Sequence, residues 1–105
     1  MAIRHQIDIY CCGCETCRSA IQKVVERMDT GRDELRVFAY EEDRDALIRM
    51  QDYFHVQEGP LIVIDPEKKR PVTIHSRDME VLARSLDKAG ICRRTGEPAR
   101  VAGAA

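Results

Sequence analysis

The stretch IDIYCCGCETCRSA, residues 7–20, contains the change of pattern that decides the fold. Apolar and polar residues alternate from Ile3 to Tyr10, as they do in a β-strand with one buried side. Four cysteines follow at once, at positions 11, 12, 14 and 17. The apolar residues then take up helical spacing, in one predicted buried stripe: Ala20, Ile21, Val24, Val25 and Met28. This pattern predicts a strand, a cysteine-rich turn and a helix in direct succession.

Five more elements follow along the chain. Residues 35–39 are predicted to form a short strand, and the acidic run at 41–43 suits the positive end of a second helix. That helix has its apolar residues on one face: Ala46, Leu47, Met50, Tyr53 and Phe54. Residues 61–64 are uniformly apolar, which predicts a strand buried on both faces, and residues 72–74 complete an antiparallel hairpin. A last helix is predicted after an N-cap at Ser76, with an end at Gly90.

The predicted order is therefore β-α-β-α-β-β-α, an α/β fold. A βαβ unit joined to a ββα unit gives a mixed four-stranded sheet with helices on both faces. The 105 residues fit one domain, expected over residues 1–92. Residues 93–105 consist mainly of Gly, Ala, Pro and Arg, which predicts a flexible C-terminal tail.

Composition excludes several classes of partner. The 17 basic and 18 acidic residues leave a net charge of −1, so no general basic field attracts nucleic acid or an anionic membrane. The apolar block at 61–64 is far shorter than the ~20 residues that span a bilayer. The N-terminus lacks the apolar run of a signal peptide, and we expect a cytoplasmic protein, as monomer or homodimer.

The cysteines are the candidate functional residues. A reducing compartment disfavours structural disulfides, and the total of five cysteines is odd. Clustering of this kind predicts reactive thiols or metal ligands, while Cys92, after the last helix, is expected to be an ordinary surface or packing residue.

Cys14 and Cys17 form a CxxC pair at the predicted junction of strand and helix. Unpaired backbone N–H groups at a helix N-terminus favour a thiolate, so Cys14 is predicted to be the attacking residue. Cys17 lies one helical turn further and can resolve a mixed disulfide formed by Cys14. The prediction is a thiol–disulfide oxidoreductase that needs no cofactor and acts on a protein or low-molecular-weight disulfide.

Residues 7–17 and the sequence Gly59-Pro60-Leu61 resemble the thioredoxin/glutaredoxin superfamily, in particular its small redox-active disulfide proteins. The resemblance covers about residues 1–92 and implies a thioredoxin-like fold. It also implies that Pro60 is a cis proline lying against the CxxC, beside backbone that docks the substrate. Cys11 and Cys12 would then tune the chemistry through alternative disulfides such as Cys11–Cys14, or recruit a metal.

The alternative function is binding of a soft metal, a metalloid or an iron–sulfur cluster. Cysteine thiolates suit these species, and the ligands would be Cys11, Cys12 and Cys17, with Cys14 as a possible fourth. The adjacent cysteine pair with a third cysteine five residues on is similar to arsenic metallochaperones of the ArsD type. In this case the protein would be a carrier rather than an enzyme.

Two further alternatives stay open. Residues 58–67 are similar to the C-terminal half of thioredoxin-like [2Fe–2S] ferredoxins, although residues 54–57 contain no second cysteine pair. The chain could also be a binding or adaptor domain in which the cysteines are incidental.

Overall fold

The computed structural model describes residues 4–91 and shows an α/β protein with a four-stranded mixed sheet and three helices. The strands are β1 (His5–Cys11), β2 (Asp33–Ala39), β3 (Leu61–Ile64) and β4 (Val72–His75). The helices are α1 (Glu15–Arg27), α2 (Arg44–Ile48) and α3 (Met79–Lys88). Helix α2 runs directly into a π-helical turn, Arg49–Tyr53. Within residues 4–91, no helix is long and apolar enough to cross a membrane. Ile3, Cys92 and the predicted tail lie outside the described residues.

The strand order is β2-β1-β3-β4. Strands β1 and β2 are parallel, with Cys11 opposite Ala39, so their carboxyl ends meet at one edge of the sheet. Strand β3 is antiparallel to β1 and pairs with β4 as the predicted antiparallel hairpin. The α/β class, the element order and the mixed four-stranded sheet are therefore confirmed.

The sheet separates two hydrophobic clusters, because neighbouring residues of a strand point to opposite faces. The first cluster packs under α1 and α3, and its strand residues include Ile7, Ile9, Cys11, Ile62 and Ile64. The second packs under α2 and consists of Tyr10, Tyr40, Ala46, Met50, Leu61 and Val63. Cys12 packs against both clusters, since it leaves β1 at the edge where the two faces meet.

Two expected core positions are exposed. Val25 is 38% exposed because the buried stripe of α1 follows the spacing of four residues through Ala20 and Val24, which turns Val25 away from the sheet. Tyr53 is 64% exposed because it ends the π-helical turn, whose wider winding shifts the apolar face by comparison with an α-helix.

The N-terminus of α3 also differs from the prediction. The helix begins at Met79, and its N-cap is Asp78 rather than Ser76. The Asp78 carboxylate accepts hydrogen bonds from the backbone N–H groups of Glu80 and Val81 at 2.9 and 3.3 Å. Ser76 helps to position this N-cap residue, since its hydroxyl accepts a hydrogen bond from the N–H of Asp78 at 3.0 Å.

Candidate functional site: the cysteine loop

The cysteine loop, residues 11–17, connects the end of β1 to the first turn of α1. Gly13 has a φ of 87°, a left-handed conformation that glycine adopts without steric cost, and this lets the chain turn sharply between the two elements. Cys14 follows as the N-cap residue of α1. Cys17, one turn into the helix, is fully buried against the sheet.

Three of the four loop sulfurs lie together. The Sγ atoms of Cys12, Cys14 and Cys17 are all within 4.8 Å of one another, and we call this group the thiol triad. Cys12 Sγ and Cys17 Sγ are in direct contact at 3.7 Å. Cys11 is buried in the first hydrophobic cluster, because it is the last residue of β1 and follows the strand's alternation. Of the four cysteines predicted as alternative metal ligands, the structure therefore brings together Cys12, Cys14 and Cys17 and places Cys11 in the core.

The environment of Cys14 favours its thiolate. The pKa of Cys14 is lowered to about 6, first by the backbone N–H of Cys17 and then by the side chain of Cys12. The Arg77 guanidinium also lowers this pKa; its Nη2 atom lies 4.0 Å from Cys14 Sγ. The Cys17 N–H attracts the Cys14 sulfur electrostatically, although the Cys14 side chain makes no capping hydrogen bond of standard geometry. Above about pH 6, Cys14 is thus the charged, half-buried sulfur of the loop.

The other two perturbed thiols have the opposite character. Burial raises the pKa of Cys17 to about 12, although the backbone N–H of Cys12 donates to its sulfur at 3.4 Å. Burial also raises the pKa of Cys11. The predicted pair therefore consists of a thiolate at the helix N-terminus and a neutral thiol beneath it.

The Gly59–Pro60 peptide bond is cis, and both residues are buried. A Cβ atom at position 59 would lie 2.5 Å from the carbonyl oxygen of Tyr10, so only glycine fits between β1 and this turn. The N–H of Gly59 donates to the Tyr40 hydroxyl at 3.0 Å. Close packing against β1 thus holds the turn beside the end of the strand that leads into the cysteine loop.

Arg77 connects this turn to the cysteine loop. Its Nη1 atom donates to the Gly59 carbonyl at 2.8 Å, while Nη2 lies 4.0 Å from Cys14 Sγ. One guanidinium therefore spans the backbone beside Pro60 and the sulfur of Cys14. The Glu58 carboxylate, 4.0 Å from Nη1 and exposed, adds only a weak ion pair.

Neither Tyr40 nor Arg77 is predicted from the sequence as part of the site. The position of Tyr40 along the chain could have indicated it. Tyr40 directly follows β2, and β2 runs parallel to β1 with Ala39 opposite Cys11, so Tyr40 comes at the end of the sheet where the cysteine loop begins. Arg77 is 63 positions from Cys14, in the turn before α3, and no local pattern marks it. Of the other polar residues near the predicted site, Glu15 and His55 are exposed, and Arg18 donates to the Gly13 carbonyl at 3.5 Å.

The site combines a nucleophilic sulfur, a buried sulfur that can form a bond to it, and a third sulfur in contact with the second. Comparison of the chain with known protein families, with curated proteins and with solved structures finds no match. Its function is therefore inferred from the chemistry of the site itself.

Proposed function

We propose that this protein is a thiol–disulfide oxidoreductase in which Cys14 attacks the substrate and Cys17 resolves the intermediate. The observation that carries the proposal is the asymmetry of this pair. The half-buried sulfur of Cys14, the N-cap residue of α1, lies within 4.8 Å of the fully buried sulfur of Cys17. A dithiol needs this arrangement, since the outer sulfur must meet the substrate and the inner one must wait for the mixed disulfide.

In the first step, the Cys14 thiolate attacks one sulfur of a substrate disulfide. A bond forms between Cys14 and that sulfur, the substrate S–S bond breaks, and the departing thiolate takes a proton from solvent. In the second step, Cys17 loses its proton and attacks the Cys14 sulfur. The Cys14–Cys17 disulfide forms and the second substrate thiol leaves, so the substrate is reduced and the protein oxidised by two electrons. A low-molecular-weight dithiol or thiol then reduces the protein.

A thioredoxin-like fold is part of the proposal. It is supported by the strand order β2-β1-β3-β4, by the single parallel pair in the sheet and by a cis proline immediately before β3. The resemblance to the thioredoxin/glutaredoxin superfamily implies that Pro60 shapes the substrate groove and that the neighbouring backbone docks the substrate. Here the Gly59 N–H donates to the Tyr40 hydroxyl, and the Gly59 carbonyl accepts from Arg77, which leaves that oxygen a second lone pair for a docking chain.

The test is turnover of a peptide disulfide and a low-molecular-weight disulfide by the full chain, with excess dithiol as reductant. We expect Cys14→Ser to reduce the rate to that of uncatalysed exchange. Cys17→Ser, treated with the substrate disulfide in the absence of dithiol, should accumulate a substrate-sized mixed disulfide on Cys14, visible by intact mass under non-reducing conditions, because the resolving thiol is missing.

The matched control is Cys11→Ala, which removes a thiol of the same loop that lies outside the thiol triad. It should retain turnover once its folding has been verified by circular dichroism. Turnover that survives Cys14→Ser would contradict the proposal.

The second candidate function is binding of a soft metal or metalloid, and the thiol triad is the observation that favours it. Three sulfurs at about 2.3 Å from one ion lie about 4 Å apart in a trigonal arrangement. The triad, with all three sulfurs within 4.8 Å, needs only a small contraction to reach this geometry. The ligands in this case are Cys12, Cys14 and Cys17.

Native and denaturing mass spectrometry of protein purified without oxygen separates the two functions. A bare native mass that loses about 2 Da on mild oxidation supports the dithiol. A mass increment of a metal, metalloid or cluster that disappears on denaturation supports the carrier. Loss of that increment in Cys12→Ser, and its retention in Cys11→Ala, would assign the ligands to the triad.

A further inference from the structure

The buried sulfur of Cys17 has two cysteine neighbours, and the proposed two-thiol cycle uses only one of them. Cys12 Sγ contacts Cys17 Sγ at 3.7 Å, and the backbone N–H of Cys12 donates to the same sulfur at 3.4 Å. These two contacts hold Cys12 against Cys17 from the strand side of the loop. Cys14 reaches Cys17 from the helix side.

We propose that Cys12 is a second resolving residue, which takes Cys17 from the Cys14–Cys17 disulfide and leaves Cys14 as a free thiolate in the oxidised protein. This inference rests on the proposed function, because the Cys14–Cys17 disulfide is its starting point. It adds a third cysteine to the reaction and defines the stable oxidised form as Cys12–Cys17.

The exchange is balanced without any external oxidant or reductant. Cys12 gives its proton to solvent, and its sulfur attacks Cys17 Sγ. The Cys12–Cys17 bond forms as the Cys14–Cys17 bond breaks, and the electron pair of the broken bond leaves on Cys14. One disulfide replaces another, so the oxidation state of the protein is unchanged.

The surroundings of the three sulfurs give this exchange its direction. Negative charge on Cys14 lies beside the Arg77 guanidinium, whose Nη2 atom is 4.0 Å away. Cys17 is 0% exposed and belongs to the first hydrophobic cluster, where a charged sulfur is disfavoured. The Cys12–Cys17 disulfide keeps the buried Cys17 sulfur uncharged and leaves the negative charge on Cys14, beside Arg77.

The free Cys14 of the oxidised protein can react once more. Its thiolate can attack a small disulfide RSSR, which gives a Cys14–SR mixed disulfide and releases RS⁻. This mixed disulfide persists, because no resolving thiol remains in the triad to expel the bound thiol. The oxidised protein is thereby a carrier of one small thiol at Cys14.

The test locates the disulfide in protein oxidised by one equivalent of a low-molecular-weight disulfide under anaerobic conditions. Free thiols are then alkylated with iodoacetamide, and the chain is digested without reductant in mild acid, where thiol exchange is slow. Cleavage after Glu15 and Arg18 separates Cys17 from the other loop cysteines. Fragment ions on either side of Gly13 distinguish an alkylated Cys14 from an alkylated Cys12.

In the wild type we expect Cys12 linked to Cys17 as the major product, with the alkyl group on Cys14. In Cys12→Ser we expect Cys14 linked to Cys17, and alkylation of Cys14 reduced to background. Cys11→Ala is the matched control, with the wild-type pattern expected.

Cys14–Cys17 as the major linkage in the oxidised wild type would overturn this inference alone, provided that turnover still requires Cys14 and Cys17. Absence of any intramolecular disulfide, together with turnover by Cys14→Ser, would overturn the proposed function as well. The two failures are therefore distinguishable.

Discussion

At the scale of single residues, the charge on Cys14 is the property on which the proposed chemistry depends. Its thiolate is stabilised by the N–H of Cys17, by Cys12 and by Arg77, which together lower the pKa to about 6. A lowered pKa means that the reactive form dominates above about pH 6 and is lost as the pH falls through that value.

We therefore expect the rate of alkylation of Cys14 by iodoacetamide to rise with pH and to have a midpoint near 6. Arg77→Met should move this midpoint upward, in the direction of the value of about 8.5 of an ordinary cysteine, because a guanidinium 4.0 Å from the sulfur is removed. Label on the Cys14 peptide, quantified by mass spectrometry over a range of pH, measures both midpoints.

Arg18→Met is the control for this measurement. Arg18 also lies at the cysteine loop, but its guanidinium is directed to the carbonyl oxygen of Gly13. The variant should keep the wild-type midpoint. Equal shifts in the two arginine variants would show that the general positive field, rather than the position of Arg77, stabilises the thiolate.

At the scale of elements, the turn before β3 depends on a residue without a side chain. A Cβ atom at Gly59 would approach the Tyr10 carbonyl to 2.5 Å and the Tyr40 ring to 3.2 Å. Backbone of a central strand has little freedom to move, so the turn itself must shift.

We expect Gly59→Ala to lower the free energy of unfolding by about 1–3 kcal/mol, the usual cost of overpacking. Urea denaturation followed by circular dichroism measures this change. Turnover of disulfides should fall as well, because the displaced Gly59 carbonyl no longer positions Arg77 beside Cys14.

Gly31→Ala provides the comparison. A Cβ atom there meets only the Asp29 carboxylate, at 3.6 Å, which is an ordinary contact. Its stability should stay within about 0.5 kcal/mol of the wild type. If both alanine variants lose the same stability, steric contact with Tyr10 is not the reason for the glycine at position 59.

The elements themselves were largely predictable, and the errors have specific causes. The uniformly apolar β3 and the cysteine-rich junction of β1 and α1 are strong local signals, and both appear where the sequence predicts them. Asp8 was expected at a polar strand position but is 2% exposed. Arg36, on the neighbouring strand, covers it with two hydrogen bonds of 2.9 and 3.0 Å, a pairing that depends on strand order and register.

At the scale of the whole molecule, Asp33 joins segments that are distant in the chain. Its carboxylate accepts bonds from the Arg4 side chain at 3.0 and 2.8 Å and from the Asp29 N–H at 2.9 Å. Burial alone would raise the pKa of Asp33, but these donors outweigh it and hold the pKa below its ordinary value. The start of β1, the end of α1 and the start of β2 are thereby held by one charge.

A folded-state pKa below that of the unfolded chain gives stability that is present above about pH 4 and is lost as the pH falls further. Asp33→Asn should therefore lower the free energy of unfolding by about 1–3 kcal/mol at neutral pH. The difference from the wild type should shrink as the pH falls below about 4. Urea titrations at a series of pH values measure this convergence.

Asp87→Asn is the matched change at the surface. Asp87 pairs with Arg27 at 3.2 Å, but its side chain is 51% exposed, so the pair contributes little. Its stability should follow the wild type at every pH. A difference between Asp33→Asn and the wild type that does not depend on pH would point to lost packing rather than to the charge.

The candidate site was predictable only in part, because some of its members come together only through the tertiary fold. The pair proposed to attack and resolve, Cys14 and Cys17, follows from its spacing at a helix N-terminus, which is local information. The membership of the thiol triad depends on which way the last residue of β1 points, and the strand's alternation sends Cys11 into the core. Arg77 reaches the site only because the sheet brings the turn before α3 beside the cysteine loop.

The position of Cys12 between the two hydrophobic clusters has a mechanical consequence. A disulfide has an S–S length of about 2.05 Å, so bonding to Cys17 draws the Cys12 sulfur inward from its present separation of 3.7 Å. The cluster under α2 contributes no sulfur to the thiol triad, yet it packs against the side chain that moves. If the proposed Cys12–Cys17 disulfide forms, oxidation of the triad therefore changes the packing of the cluster on the opposite face of the sheet.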